Sequence, residues 1–391
     1  MMIKEEFNDI APIEDEQFPE KMAALVKEPG FEHAVRWVLP DTDYEEFAKK
    51  FASIKGKEEL QLKIMHPFLE MLVDKYTSGL SCEGIESIMD KSPRTFITNH
   101  RDIVLDSAFL NLCLIRAGLQ TSEIAIGNNL LIYSWIEDLV RLNKSFIVRR
   151  GLKGTHEALE AAKHLSEYIH YCITEKNQSV WIAQREGRAK DSSDNTQESV
   201  IKMLDYAGEG SPRERLLELN ITPVSITYEF DPNDYLKARE FLLREKDPEF
   251  HKSQRDDLLS METGLLGQKG RVNFSIGKCI NDSLREVASP EANRTEVVQK
   301  ACALINNEIH RGYHIFPINF VAYDRLHGGH EWQDHYSDAE AQAADAYWQR
   351  QLEKLEDYAS FGENDRNFML EKMWVMYANP LKNKLTSDQS A

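Results

Sequence analysis

The stretch TNHRDIVLD, positions 98–106, places a histidine, an arginine and two aspartates within nine residues. A histidine changes charge near neutral pH and can take a proton from a substrate hydroxyl. To do so it needs a carboxylate that fixes its tautomer and stabilises its charged form. Asp102 and Asp106 are the local candidates for His100. Each also suits a plainer role, capping the helix that DSAFLNLCLIRAG suggests, with His100 as a loop histidine without chemistry.

Further along, KSFIVRRGLKG ends an apolar run on Arg149 and Arg150. From Arg141 to Lys153 there are five basic residues and no acidic ones. In an acidic chain such a run suits an anionic ligand, and the planar fork of arginine can bond two phosphate oxygens. A solvated strand end is the alternative. The segment VWIAQREGRAKD then leads into Arg185, Glu186, Gly187, Arg188 and Lys190, whose charges could hold phosphate or pair with one another across a turn. The segment HGGHEWQDH carries His327, His330 and His335. Those residue types can ligate zinc, but the run lacks HExxH spacing, and a polar surface loop is the preferred reading.

These residues need elements to hold them. Residues 1–92 read as helical; EELQLKIMHPFLEMLVDKYTSGL has helical apolar spacing, with Pro67 as a kink or boundary. From Arg94 onward short apolar runs alternate with longer amphipathic ones. The runs at 94–99, 122–128, 144–150, 179–186, 222–230 and 271–278 predict strands. The stretch 155–175 predicts a helix with Ala158, Ala162, Leu165 and Ile169 on its apolar stripe and Thr155 as N-cap. Such alternation predicts an α/β layered domain with a largely parallel or mixed sheet. His100 then falls just past a strand's C-terminal end, where open α/β sheets form their sites. Residues 281–391 read as mostly helical and acidic.

Composition sets the bounds. The 391 residues are 42% hydrophobic and 29% charged, ordinary for a soluble globular protein. A formal net charge of -18 weighs against nucleic acid as a partner and against overall attraction to an anionic membrane. Five scattered cysteines without a CxxC pair suggest reduced thiols in the cytoplasm. The acidic N-terminus lacks the apolar stretch of a secretory signal.

Taken in order, four blocks resemble the glycerol-3-phosphate and lysophosphatidic acid acyltransferase family. NHRDIVLD is similar to that family's H-x4-D motif, FIVRR (146–150) to its arginine-ended strand, REGRAK (185–190) to its E-G-T-R block, and TPVSITY (222–228) to its V-P strand. The resemblance covers roughly 94–280, and RVNFSIGK is similar to the strand that follows the fourth block. It divides the chain into a helical N-terminal extension (1–92), an acyltransferase α/β core (93–284) and a mostly helical C-terminal extension (285–391). It implies a fatty acyl transfer from acyl-CoA or acyl-carrier-protein to glycerol-3-phosphate or a lysophospholipid in glycerolipid synthesis. It implies no cofactor and no metal. The enzyme would be cytoplasmic or peripheral at the inner face of the membrane. His100 would be the general base and Asp106 its partner. Arg149, Arg150 and Arg188 would hold phosphate, with Glu186, Gly187 and Pro223 supporting the site and main-chain N–H groups near the motifs stabilising the oxyanion. No serine stands in a G-x-S-x-G elbow.

Two departures bear on this reading. Five residues separate His100 from Asp106 rather than four, and the threonine between Gly187 and Arg188 is missing. Asp106 is preferred over Asp102 because LDSAFL still reads as a helix start. Over six helical positions the chain turns about 600°, so a dyad requires His100 to sit in the loop before that helix. The competing readings are a non-catalytic acyl-carrier or lipid-binding protein and a thioesterase-like hydrolase.

Overall fold

The computed structural model describes residues 3–389. Seven strands form one sheet: β1 (Leu80–Glu83), β2 (Thr95–Thr98), β3 (Glu123–Gly127), β4 (Ser145–Val148), β5 (Val180–Ala183), β6 (Ile221–Tyr228) and β7 (Val272–Ile276). Their order across the sheet is β1-β7-β6-β2-β5-β3-β4. Neighbours pair in parallel except β6 with β7, which are antiparallel. The protein is therefore α/β, with a mixed, largely parallel sheet flanked by helices. β2 and β6 are buried along their whole length, as continuous apolar runs in a sheet covered on both faces should be.

One face of the sheet packs on the helices His66–Tyr76 and Leu105–Arg116 through Leu72, Phe109 and Leu112. The other packs on the helices Thr155–Thr174 and Arg294–Arg311 through Leu165, Ile169, Val298 and Ile305. Ile3, Phe7 and Ile10 belong to that second core. The chain's two flanks are thus built into the sheet's packing. A further core joins the helices Pro317–His327, Asp338–Leu352 and Glu363–Gln389 around Trp348, Met369 and Met373.

Two local details differ from the sequence reading, and the place of Pro67 at an element boundary agrees with it. β1 lies inside the stretch read as helical. It is a four-residue edge strand with alternating exposure, held by pairing with β7, and so short a half-polar run carries little periodic signal. Thr155 is the first helical residue and Gly154 takes the N-cap position without a side-chain bond. Pro67 sits near the start of His66–Tyr76, directly after a π-turn at Gln61–Met65. The wider turn accommodates the ring that would clash in a regular helix.

Candidate active site

β2 runs straight into the loop that carries His100. Asn99 pins that loop to β6 like an extra rung of the sheet: its Nδ2 donates to the Ile226 carbonyl at 2.9 Å, and the Ile226 N–H donates to its Oδ1 at 2.8 Å. The next residue presents its ring to Asp106, with Nδ1 2.8 Å from Oδ2. The same oxygen accepts the backbone N–H groups of Arg101 (2.6 Å) and Asp102 (3.0 Å). An oxygen with three such neighbours is an acceptor, so the proton between it and the ring belongs to Nδ1. Nε2 then holds the free lone pair, and it has no hydrogen-bond partner among the described residues.

Asp106 is the second residue of the helix Leu105–Arg116 and its side chain is 1% exposed. The helix's positive end and the two N–H donors compensate a buried carboxylate there. Its other oxygen, Oδ1, accepts the Tyr228 hydroxyl at 3.1 Å from the last residue of β6. Burial first, and then the Asp106 charge, push that phenol well above its ordinary value, so it stays protonated and donates. The Trp181 ring meets the His100 ring edge-on, 5.9 Å between centroids.

Asp102 has a different task. Its Oδ1 accepts the N–H groups of Val104 (2.9 Å) and Leu105 (2.8 Å), closing the turn before the helix. That turn absorbs the fifth intervening residue. Burial, and then the nearby Asp106 charge, raise the Asp102 carboxyl above the usual carboxylate range. The N–H groups of Arg101, Asp102, Val104 and Leu105 are all taken by these two carboxylates. None of these four N–H groups is free for an oxyanion, so any main-chain donor to it comes from elsewhere near the motifs.

A buried polar network backs the loop. Arg101 forks onto Asp194 at 3.1 and 2.6 Å, and the Tyr313 hydroxyl donates to Asp194 at 2.5 Å. Lys237 reaches the Arg101 carbonyl at 3.4 Å and pairs with Asp231. The Asp231 N–H donates to the Tyr377 hydroxyl, which in turn donates to Asp234 at 2.8 Å. Tyr313 and Tyr377 come from the C-terminal 107 residues, so the histidine loop is braced by the helices that follow the sheet.

The basic residues divide. Successive side chains at a strand end point to opposite sides. Arg149 turns to Asp9, Nη2 to Oδ2 2.6 Å, where His164 also bonds Asp9 at 2.9 Å. It lines a groove that also holds Glu6, Glu157 and Glu160. Arg150 turns the other way and lies 3.8 Å from Glu186, on the loop after β5, the strand beside β2. The structure thus places the two arginines expected to share one phosphate on different carboxylates, Asp9 and Glu186. Arg188 is half-buried, and its Nη1 is buried without a hydrogen-bond partner among the described residues. Its charge acts on Asp231 and Lys237, which places it behind the histidine loop.

Gly187 adopts φ +68° in the exposed turn between Glu186 and Arg188. Pro223 lies within the sheet, opposite Ile97 of β2 and upstream of the dyad. Its carbonyl accepts the Gly277 N–H, beyond the last paired residue of β7. Its missing N–H faces that same side, so no ladder bond is lost there. From β6 it is Tyr228 that reaches the dyad. His327 packs on Tyr323 at 4.4 Å and His335 on Phe320 at 4.6 Å.

The fold and site together define an α/β protein with a His–Asp pair at the C-terminal edge of a largely parallel sheet. The sequence matches no protein-family profile and no curated protein. Among solved structures the chain is similar to the 1-acyl-sn-glycerophosphate (LPA) acyltransferase PlsC from Thermotoga maritima, with a TM-score of 0.34 and 12% identity over 73% of this chain and 97% of that one. Among the described residues, no helix is long and apolar enough to cross a membrane.

Proposed function

We propose that this chain is an acyltransferase that moves a fatty acyl group from an acyl-CoA or acyl-carrier-protein thioester to a hydroxyl of glycerol-3-phosphate or a lysophospholipid. The observation that carries this reading is the His100–Asp106 pair, with Nδ1–H donated to the carboxylate and Nε2 unengaged. Nε2 takes the acceptor's hydroxyl proton as its oxygen attacks the thioester carbonyl. The C–O bond forms, the C–S bond breaks, and the proton passes from the ring to the departing thiolate. Asp106 holds the tautomer and stabilises the imidazolium. No acyl-enzyme is needed, and among the described residues no serine or cysteine bonds to the ring.

In this proposal Arg150, which reaches Glu186 on the loop after β5, and Arg188 hold the acceptor's phosphate; Arg149 joins them only by releasing Asp9. On this reading the chain works in the cytoplasm or peripherally at the membrane's inner face. The test is acyl transfer from both donors to a panel of glycerol phosphates. Transfer should occur, and His100→Ala should cut turnover by roughly 10²–10⁴-fold while acceptor binding persists. Unchanged turnover in folded His100→Ala refutes the base assignment, and fatty acid released without any acceptor makes the chain a hydrolase.

A further inference from the structure

The opposite, N-terminal edge of the sheet carries a cavity of about 810 Å³, within the range of small-molecule sites. Its floor is formed by the residues that lead into β2, β5, β3 and β4, among them Arg94, Gln178, Thr121 and Lys144. The N-terminal segments close one wall with Glu14 and Lys57.

Two cations of the floor are buried, Arg94 at 8% and Lys144 at 6% exposed. Arg94 pairs with Asp90 at 2.9 Å, but its Nε is buried with no hydrogen-bond partner among the described residues. Lys144 Nζ donates to the Thr121 carbonyl at 2.9 Å and to Thr121 Oγ1 at 3.0 Å. An ammonium has three donors, and the third finds no acceptor among the described residues. Lys176, half-buried in the wall, is matched: it meets Glu123 at 2.5 Å. Lys57, too, meets Glu14 at 3.3 Å. Lys144 has no carboxylate in pairing distance. Burial without a counter-ion brings it down to about 8, with Glu123 and Glu58 acting to raise it and Lys176 and Lys57 to lower it.

The backbone adds a separate observation. Lys91, Lys144 and Asn177 all line this cavity and all adopt left-handed φ, at 61°, 61° and 54°. Gly118, at the same edge, adopts φ 69° without a Cβ to strain it. Two lysines thus stand where glycine would be unstrained, and such strain gathers at working sites.

We propose that this cavity is a second ligand site, taking a small organic anion whose carboxylate or phosphate oxygens accept from Lys144 and Arg94. It is distinct from the dyad's site: β2 and β5, each four residues and so about 13 Å long, lie between them.

The experiment is thermal unfolding of the full chain in sodium phosphate, sodium citrate and sodium chloride at matched ionic strength. Phosphate or citrate should raise the midpoint by roughly 2 °C above chloride at ten times Kd. The rise should survive Arg150→Ala, at the proposed acceptor site, and vanish in Lys144→Met. A response to citrate alone assigns a carboxylate ligand, and to phosphate alone a phosphate. NMR of the wild-type protein with 13Cε-labelled lysine covers the case in which Lys144→Met does not fold. A bound anion favours the ammonium, so the Lys144 titration should move up from about 8. An unmoved Lys144 titration, an absent anion-specific rise, or a rise lost in Arg150→Ala and kept in Lys144→Met overturns the proposal.

Discussion

Tyr228 and Asp106 lie 122 residues apart in sequence, yet the hydroxyl of one donates to the carboxylate of the other at 3.1 Å in a fully buried setting. The bond ties the end of β6 to the first turn of the helix Leu105–Arg116. It leaves Oδ2 for His100 and the two backbone N–H groups. Tyr228→Phe removes the donor and leaves a buried carboxylate oxygen unsatisfied, at about 1–3 kcal/mol. We expect a lower unfolding midpoint and turnover reduced about 5- to 10-fold, with the acceptor's KM little changed. Equal activity and stability in the two proteins would show that the bond orients nothing.

Asp106→Asn and Asp102→Asn separate the two aspartates. An amide at 106 either turns its NH2 group against the Arg101 and Asp102 N–H donors or presents it to His100 with the wrong tautomer. Turnover should fall by at least about 10²-fold, as for loss of an orienting carboxylate. At 102 the amide oxygen can still accept from Val104 and Leu105, and an uncharged side chain suits a carboxyl that burial already raises. That variant should keep turnover within about threefold and stability within about 1 kcal/mol. The reverse order of effects would give the histidine to Asp102.

The contrast between these residues shows what was legible in the sequence. His100, Asp106 and all six strands from β2 to β7 could be read because each sits in a local pattern: an apolar run, a turn, a charged cluster. Asn99 and Tyr228 act across the sheet, Asp194 from the loop after β5 and Tyr313 from the segment between two C-terminal helices, and local spacing carries no trace of such contacts. Tyr228 offered a weak signal, a hydroxyl at the end of an otherwise apolar strand. The pair Arg149 and Arg150 shows the converse. Adjacency looks like cooperation in a sequence, but at a strand end it separates side chains, and Asp9, 140 residues away, decides where Arg149 goes.

That separation is testable. Arg150→Ala should raise the acceptor's KM about 10-fold or more, the usual worth of a charged hydrogen bond to phosphate, with the donor's KM unmoved. Arg149→Ala should change either KM less than about threefold, because its partner is an exposed carboxylate and such pairs contribute little. Arg150→Lys should recover only part of the loss, since an ammonium cannot fork. Larger effects at 149 than at 150 would mean that Arg149 leaves Asp9 when the acceptor binds.

Asp234 sets a pH dependence of stability. It is fully buried, and it accepts the Tyr377 hydroxyl at 2.8 Å and the Gln351 amide at 2.7 Å. Burial, and then the charge of Asp231, push it from 3.8 to about 7. An acid raised in the folded state holds its proton there while the unfolded chain has already released its own. The folded protein therefore binds more protons between about pH 4 and 7, and stability must fall as pH rises through that window. The full shift corresponds to roughly 4 kcal/mol, lessened wherever the network relaxes. Asp234→Asn keeps an acceptor for Tyr377 and cannot ionise, so it should gain on the wild type as pH rises from 4 to 7 and hold a constant margin above 8. Denaturant unfolding of both proteins at several pH values measures the difference. If that difference is flat across the range, Asp234 is ionised in the folded protein even at the low end, and the part of the network around Tyr377 contains two buried negative charges, Asp231 and Asp234, rather than one.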